Sequence, residues 1–365
     1  ERAREIQDAM LRTVETIKKE KREHEDAKRR ARDPKGKQAP ARARTQHENA
    51  HSDADVGQRA TATGAGTATK GKILHLFSGP HDRKDGLAAK AAERGYEVVE
   101  VDTLVDAKEC DLTRDTVFGV LRARAAAGEF IGAIIGTPCS TFTVARLHYD
   151  PDNPGPTKVR SREGGQHRGL KTLTIDERTE VERANLLVAR SAELAEEVWR
   201  TGGSFIIENP MDRGVPGSKG FQEKWREHAP LWMMEEIVEL QRRTRATTVS
   251  YPQCAMGGAY QKYTTLMYSR EQEAVMAGLA LYECTHAKHV SVARGWLRRA
   301  KGWFRAWKSA RAAAYPAEMN DKIIDALTYM DRAGRERAAA ERARDTEAEG
   351  VPQEEEWEEQ VTADG

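Results

Sequence analysis

Two residues have the type and the setting for covalent chemistry: Cys139, in Gly136-Thr137-Pro138-Cys139-Ser140-Thr141-Phe142, and Glu208, in Ile206-Ile207-Glu208-Asn209-Pro210. Each follows a short apolar run. A cysteine just past a buried strand, in a loop stiffened by Pro138, sits where its thiol is partly exposed. Local N–H groups or Arg146 can then lower its pKa and make it a nucleophile. The alternative is a small buried hydrophobe, the common state of a free cysteine. An acidic residue closing an apolar strand must find a partner or hold a proton, because an unpaired buried carboxylate is costly. Glu208 is therefore a proton-handling group or a structural carboxylate satisfied by loop N–H groups. One thiol and one carboxylate at neighbouring strand ends make a candidate active site.

A second set of residues suits a nucleotide. Phe77-Ser78-Gly79 closes the first apolar run, and a helix is expected to start near Asp85-Gly86-Leu87. A glycine at that place lets a nucleotide approach the backbone, and the helix start offers free N–H groups. Asp102 ends the second run, where α/β folds put a carboxylate against ribose hydroxyls; otherwise it is a solvated strand-end residue. Asp111 either meets an adenine amino group or caps a helix.

These residues need strands and helices to hold them. Apolar runs at Lys72–Phe77, Tyr96–Asp102, Phe130–Gly136, Ser204–Glu208 and Thr264–Tyr268 read as buried strands. Gly86–Arg94, Arg114–Ala127 and Asp176–Arg200 between them read as amphipathic helices. Alternating strands and helices imply an α/β fold: a doubly wound, mostly parallel, Rossmann-like sheet. Ligands then bind beyond the carboxyl ends of the strands, where the candidate residues fall.

In this order, the FSG turn, strand-end Asp102, the TPCS segment and the IENP segment resemble the cytosine-C5 DNA methyltransferase family, over roughly residues 72–270. Gly258-Ala259-Tyr260-Gln261-Lys262-Tyr263-Thr264 is similar to that family's Gly…Gln-Arg-x-Arg element. The resemblance implies the S-adenosylmethionine-dependent methyltransferase type of fold. It also implies a cofactor site of Phe77, Ser78, Gly79, Asp102 and Asp111 that takes S-adenosylmethionine. Cys139 would attack C6 of cytosine, and Glu208 would stabilise the protonated N3 so that C5 accepts the methyl group. Pro138, Arg146, Asn209 and Gln261 would support the nucleophile loop and the substrate. The base would have to be flipped out or already unpaired, since C6 is shielded in the stack. The implied partner is nucleic acid, DNA before RNA, although the residues themselves do not separate RNA, DNA or a free nucleotide.

The chain departs from the family pattern in four places. His81-Asp82-Arg83-Lys84-Asp85 fills a turn that usually holds more glycine, and Thr137-Pro138 replaces Pro-Pro. Lys262 and Thr264 stand where the family has arginines. The stretch between Tyr268 and Met330 is too short for a large target-recognition domain. The competing expectation is a catalytically decayed domain of a mobile-element or viral polyprotein, kept for nucleic-acid binding or only for folding.

Three further features carry readings. Val159–Leu173 holds Arg160, Arg162, His167, Arg168 and Lys171 among glycines, and is read as a basic lid over substrate phosphates rather than a solvated loop. Cys284, His286 and His289 form a C-x-H-x-x-H cluster, with Cys254 elsewhere in the sequence. Zinc takes such ligands, but the spacing matches no common finger, so capping and core packing are expected and no metal. Trp296, Trp303 and Trp307 recur at i, i+7 and i+11, which predicts one face of a helix with basic residues turned away from it.

Composition bounds the rest. Four scattered cysteines make no disulfide framework and no CxxC ribbon, which points to a reducing compartment. No apolar run spans a bilayer and no secretory signal is present, so an intracellular protein, nuclear or cytoplasmic, with no membrane partner is expected. The chain begins at Glu1 rather than Met, as a piece of a longer open reading frame or polyprotein would. Net charge is only +1, but the signs are segregated. Residues 1–50 carry 15 Lys and Arg against 10 Asp and Glu and lack apolar periodicity, as in a charged, partly helical arm. The expected organisation is that arm, a flexible linker at 51–70, the methyltransferase-like domain at 71–330, and a charged, acidic, disordered tail at 331–365.

Overall fold

Side chains alternate along a strand, and here the alternation sorts apolar residues into two cores. Leu74, Leu76, Ala133, Ile135, Phe205 and Ile207 face one core, while Ile73, Ile134 and Ile206 face the other. A sheet buried on both faces needs helices on both, and it has them. The computed structural model describes residues 69–79, 83–148, 156–218, 220–289, 296–297, 306–307 and 313–349. The chain divides into two units, Glu1–Ala68 and Thr69–Gly365, and the described residues belong to the second. The expected arm, nearly all of the expected linker, and residues 350–365 lie outside them.

The element order is β1 (Lys72–Leu76), α1 (Leu87–Glu93), β2 (Glu97–Val101), α2 (Asp115–Ala126), β3 (Phe130–Ile135), α3 (Ile175–Arg200), β4 (Ser204–Pro210), α4 (Glu235–Thr244), β5 (Thr247–Pro252) and β6 (Tyr263–Tyr268). A short α5 (Glu273–Met276), α6 (Ala317–Leu327) and α7 (Arg332–Glu349) follow. The six-stranded sheet runs β2-β1-β3-β4-β6-β5. Strands β1 to β4 are parallel, so the fold is α/β with a mostly parallel sheet, as expected. Helices α2, α3 and α4 cover one face through Phe118, Leu121, Val188, Val198, Ile237 and Leu240. Helices α1 and α6 cover the other through Leu87, Ala91, Met319, Ile323 and Ile324.

Register places the candidate residues. Leu76 pairs with both Val101 and Ile135, and Ile135 pairs with Ile207. The next residue of each strand, respectively Phe77, Asp102, Gly136 and Glu208, therefore falls in one row along the carboxyl edge.

One strand was passed over, and two expectations are corrected. The strand Thr264–Tyr268 is antiparallel to β4, and it pairs with β5, which the reading of apolar runs passed over. A short connection joins β5 to β6, and only an antiparallel pair can close over so few residues. The tail expected from 331 does not begin there, because α7 is a helix anchored by a buried arginine. Arg342 is 5% exposed, donates to the carbonyls of Trp199 and Gly203, lies over the Trp199 ring and pairs with Glu271. A long aliphatic stem lets such a residue anchor a highly charged helix, which composition alone hides. Finally, Trp296–Leu297 and Ala306–Trp307 pair as a short antiparallel ladder with Trp296 opposite Trp307, so these two residues do not share a helix. Tryptophan favours strands, and Gly302 between the two disfavours a helix. Trp303 lies outside the described residues. Among the described residues no helix is long and apolar enough to cross a membrane.

Candidate active site

Cys139 is held by backbone contacts around it. Thr137, buried just past β3, offers its carbonyl to Asn209 Nδ2 at 2.7 Å. Asn209 follows Glu208, so alternation turns it to the opposite face, toward the loop that carries Cys139. The Phe142 N–H closes the turn on the Cys139 carbonyl at 3.0 Å. Arg146 donates to the Ser140 carbonyl at 2.6 Å and the Thr157 carbonyl at 2.9 Å, and pairs with Glu180 at 2.5 Å. Thus Asn209 and Arg146 both grip the loop that carries Pro138 and Cys139.

The thiol itself departs from the expectation of a lowered pKa. Burial pushes it above its ordinary value, and the neighbouring Glu208 charge adds to that effect. The cation that pulls it down is Lys262, not Arg146, whose guanidinium is occupied by backbone carbonyls and Glu180.

Glu208 is 5% exposed and side chains surround it, not the loop N–H groups that sequence suggests. One carboxylate oxygen, Oε1, accepts from the Thr264 hydroxyl and lies 3.3 Å from Lys262 Nζ and 3.5 Å from Gln253 Nε2. The other, Oε2, accepts from the Tyr315 hydroxyl at 3.2 Å. Burial and the Glu208 charge hold the Tyr315 phenol well above its ordinary pKa, so it remains a donor. Tyr251 is also buried, with its phenol raised first by burial and then by Glu208, and its hydroxyl has no hydrogen-bond partner among the described residues. Gly136 matters here because a Cβ would come within 2.8 Å of the Tyr315 hydroxyl.

Sequence reasoning missed Tyr315, Gln253 and Tyr251, and it quoted Lys262 and Thr264 only as substitutions. Pro316 ahead of the apolar periodicity of α6 marks a helix start, and is the signal that could have drawn attention to Tyr315. Gln261 does not join the cluster; its amide donates to Cys284 Sγ at 3.7 Å.

At the first strand end, Phe77 takes a left-handed backbone with φ 59°, its N–H on the Val101 carbonyl at 2.7 Å. Ser78 is half-buried and leads into Gly79, at φ 78°, whose N–H donates to Asp102 Oδ2 at 2.9 Å. The other Asp102 oxygen accepts from the Leu104 N–H at 2.8 Å. Asp111 Oδ1 accepts from the N–H and the hydroxyl of Thr113, a local turn ahead of α2. Of the segment His81–Asp85, His81 and Asp82 lie outside the described residues. Arg83 pairs with Asp85 at 3.0 Å and donates to the Tyr315 carbonyl at 3.3 Å.

The basic stretch Val159–Leu173 is not the free lid it was expected to be. Arg160 is buried, stacks 4.1 Å above the Phe142 ring and donates to Asn185 at 2.9 Å; burial holds its pKa down to about 9. Arg162 pairs with Asp212, Arg168 with Glu235 and Glu236, and His167 with Glu235. Acidic partners from the turn after β4 and from the start of α4 consume those charges.

Compared with protein-family models the chain matches none, and no curated protein matches its sequence.

Proposed function

We propose that the domain transfers the methyl group of S-adenosylmethionine to C5 of cytosine in nucleic acid. One observation carries this reading: the register that pairs Ile135 with Ile207 brings the segment bearing Cys139 beside Glu208, and Asn209, next to Glu208, donates to the Thr137 carbonyl of that segment at 2.7 Å. In this mechanism the Cys139 thiolate bonds to C6 of an unstacked cytosine while Glu208 holds a proton at N3, which directs the ring's electrons to C5. Loss of the C5 proton and departure of the thiolate complete the replacement of hydrogen by methyl. Asn209 and Arg146 keep the nucleophile loop in place. Lys262 favours the thiolate that the reaction needs.

S-adenosylmethionine supplies an electrophilic methyl group. The residues of the first two strand ends suit it. Among the described residues no heavy atom lies within 4 Å of where a Gly79 Cβ would stand. Asp102 uses its oxygens on two N–H groups, and a carboxylate retains lone pairs for ribose hydroxyls. Leu104, 70% exposed just past Asp102, offers an apolar surface to a flat base.

A second reading has its own support. Both Glu208 oxygens already accept hydrogen bonds from Thr264 and Tyr315, as they would in a structural carboxylate of a catalytically decayed domain kept for nucleic-acid binding or for folding. Calorimetric titration with S-adenosylmethionine and its demethylated product tests both. The enzyme reading expects saturable binding, and an oligonucleotide carrying 5-fluorocytosine should trap the unmodified protein covalently. No saturable binding defeats the enzyme reading. Firm binding with neither methylation nor adduct on any nucleic acid favours the decayed domain.

A further inference from the structure

Four side chains from two segments converge away from the Cys139–Glu208 pair. Cys254 lies in the short turn Gln253–Met256 after β5, while Cys284, His286 and His289 lie in a segment without regular structure after α5. Cys254 Sγ, Cys284 Sγ and one ring nitrogen from each histidine all lie within 4.8 Å of one another. Cys284 Sγ is 3.2 Å from His289 Nε2 and 3.8 Å from His286 Nδ1. A tetrahedral zinc ion with Zn–S near 2.3 Å and Zn–N near 2.0–2.1 Å has ligand–ligand edges of roughly 3.3–3.8 Å. The four atoms thus stand within about 1.5 Å of the edges of a zinc tetrahedron, and Cys284 Sγ already stands at edge length from both ring nitrogens.

From this geometry we infer a structural zinc site formed by Cys254, Cys284, His286 and His289. Two thiolates and two imidazoles are the donors zinc takes, whereas magnesium and calcium want oxygen. Four protein ligands close the coordination shell and leave no position for water, which marks the site as structural. Sequence spacing conceals it because Cys254 is 30 residues before Cys284, and only the β5–β6 connection brings it to the C-x-H-x-x-H cluster. Gln261 donates to Cys284 Sγ at 3.7 Å, the kind of outer contact that orients a thiolate ligand.

The position of the site gives it a purpose. The Gln253 N–H donates to the Lys262 carbonyl at 2.8 Å, and the Gly258 N–H donates to the Gln253 carbonyl at 3.1 Å. Gln253 and Lys262 are two of the side chains around Glu208. A metal bound at Cys254 therefore fixes the connection that presents them. The segment bearing Cys284, His286 and His289 is itself neither helix nor strand over its described residues, so a metal would add a tie beyond the Tyr282 hydroxyl on Glu318.

The test uses the full chain expressed with zinc and purified under reducing conditions without chelator. Elemental analysis should find about one zinc per chain, and Cys284→Ser and His289→Ala should each lower occupancy at least about tenfold against a competing chelator. Cys110→Ser should leave it unchanged. Cobalt(II) added to chelator-stripped protein should give the visible absorption of a tetrahedral thiolate site, which reads the site even if a variant folds poorly. Stripping should also speed amide exchange across residues 253–263. Zinc-free protein that takes up no cobalt, a Cys254–Cys284 disulfide under these conditions, or equal zinc in the ligand variants would overturn the site. Unchanged exchange across 253–263 would overturn the bracing role. None of these readouts depends on methyl transfer.

Discussion

The two halves of the carboxyl edge are built differently. At β1 and β2 the candidate groups are local: a left-handed turn at Phe77 and Gly79, tied by the Gly79 N–H to the Asp102 carboxylate, with no heavy atom of the described residues within 4 Å of where a Gly79 Cβ would stand. At β3 and β4 they are assembled from a distance: Glu208 meets Thr264 and Tyr315, 56 and 107 residues further along, and is nearly inaccessible. An open half built of backbone suits a ligand that comes and goes. A closed half built of side chains suits control of a proton and a thiol. The second therefore has most to lose from a single substitution.

If that contrast reflects catalysis, the largest effects fall in the closed half. Cys139→Ser is nearly isosteric but a far weaker nucleophile, and should abolish methyl transfer with calorimetric cofactor affinity unchanged. Glu208→Gln should reduce turnover by about 10²–10⁴-fold, the usual worth of a positioned proton-handling group. A loss of cofactor binding in either variant would mean that the halves are not separable. Methyl transfer that survives Cys139→Ser would exclude C5 chemistry.

A stability measurement sharpens the contrast from outside the site. Arg342→Met leaves the buried carbonyls of Trp199 and Gly203 without their donor and Glu271 without its partner. It should cost about 2–4 kcal/mol in denaturant unfolding, and truncation after Met330 should cost at least as much. A change below about 0.5 kcal/mol would show that α7 adds nothing to the domain.

How much of this could be read in the sequence follows the same division. Phe77, Asp102, Gly136 and Glu208 align because each ends an apolar run, and apolar periodicity is a local signal. The places of Cys139, Glu208 and Asn209 beyond β3 and near the end of β4 were legible for that reason. The ring around Glu208 was not, since Gln253, Lys262, Thr264 and Tyr315 reach it through an antiparallel pair and a late helix that no local pattern joins to β4. The basic stretch failed as a lid for a related reason. Its charges meet Asp212, Glu235 and Glu236, partners more than 40 residues away.

In the open half, smaller effects are expected. Asp102→Asn keeps the shape but can accept from only one of the Gly79 and Leu104 N–H groups, and it loses the charge that favours ribose hydroxyls. Cofactor affinity should fall about tenfold, or about 1.4 kcal/mol, with turnover at saturation nearly intact. An equal fall in turnover would place Asp102 in the closed half's machinery.

The smallest expected effect concerns the charges on the thiol. Burial raises the Cys139 pKa first, Lys262 opposes it and Glu208 reinforces it. At neutral pH the thiol is therefore mostly protonated, and only the thiolate reacts with an alkylating reagent. Modification of the Cys139 peptide, followed by mass spectrometry to separate it from the other three cysteines, should be slow at pH 7 and rise about tenfold per pH unit until the pH passes the thiol's raised value. Lys262→Met removes the opposing cation and should slow the reaction a few-fold at fixed pH. Glu208→Gln removes the reinforcing anion and should quicken it by a similar factor. The opposite signs matter more than the sizes, because loosened packing would expose the thiol and quicken the reaction in both variants. Two changes of the same sign would show that burial alone sets the thiol, and the electrostatic link between Cys139 and Glu208 would be gone.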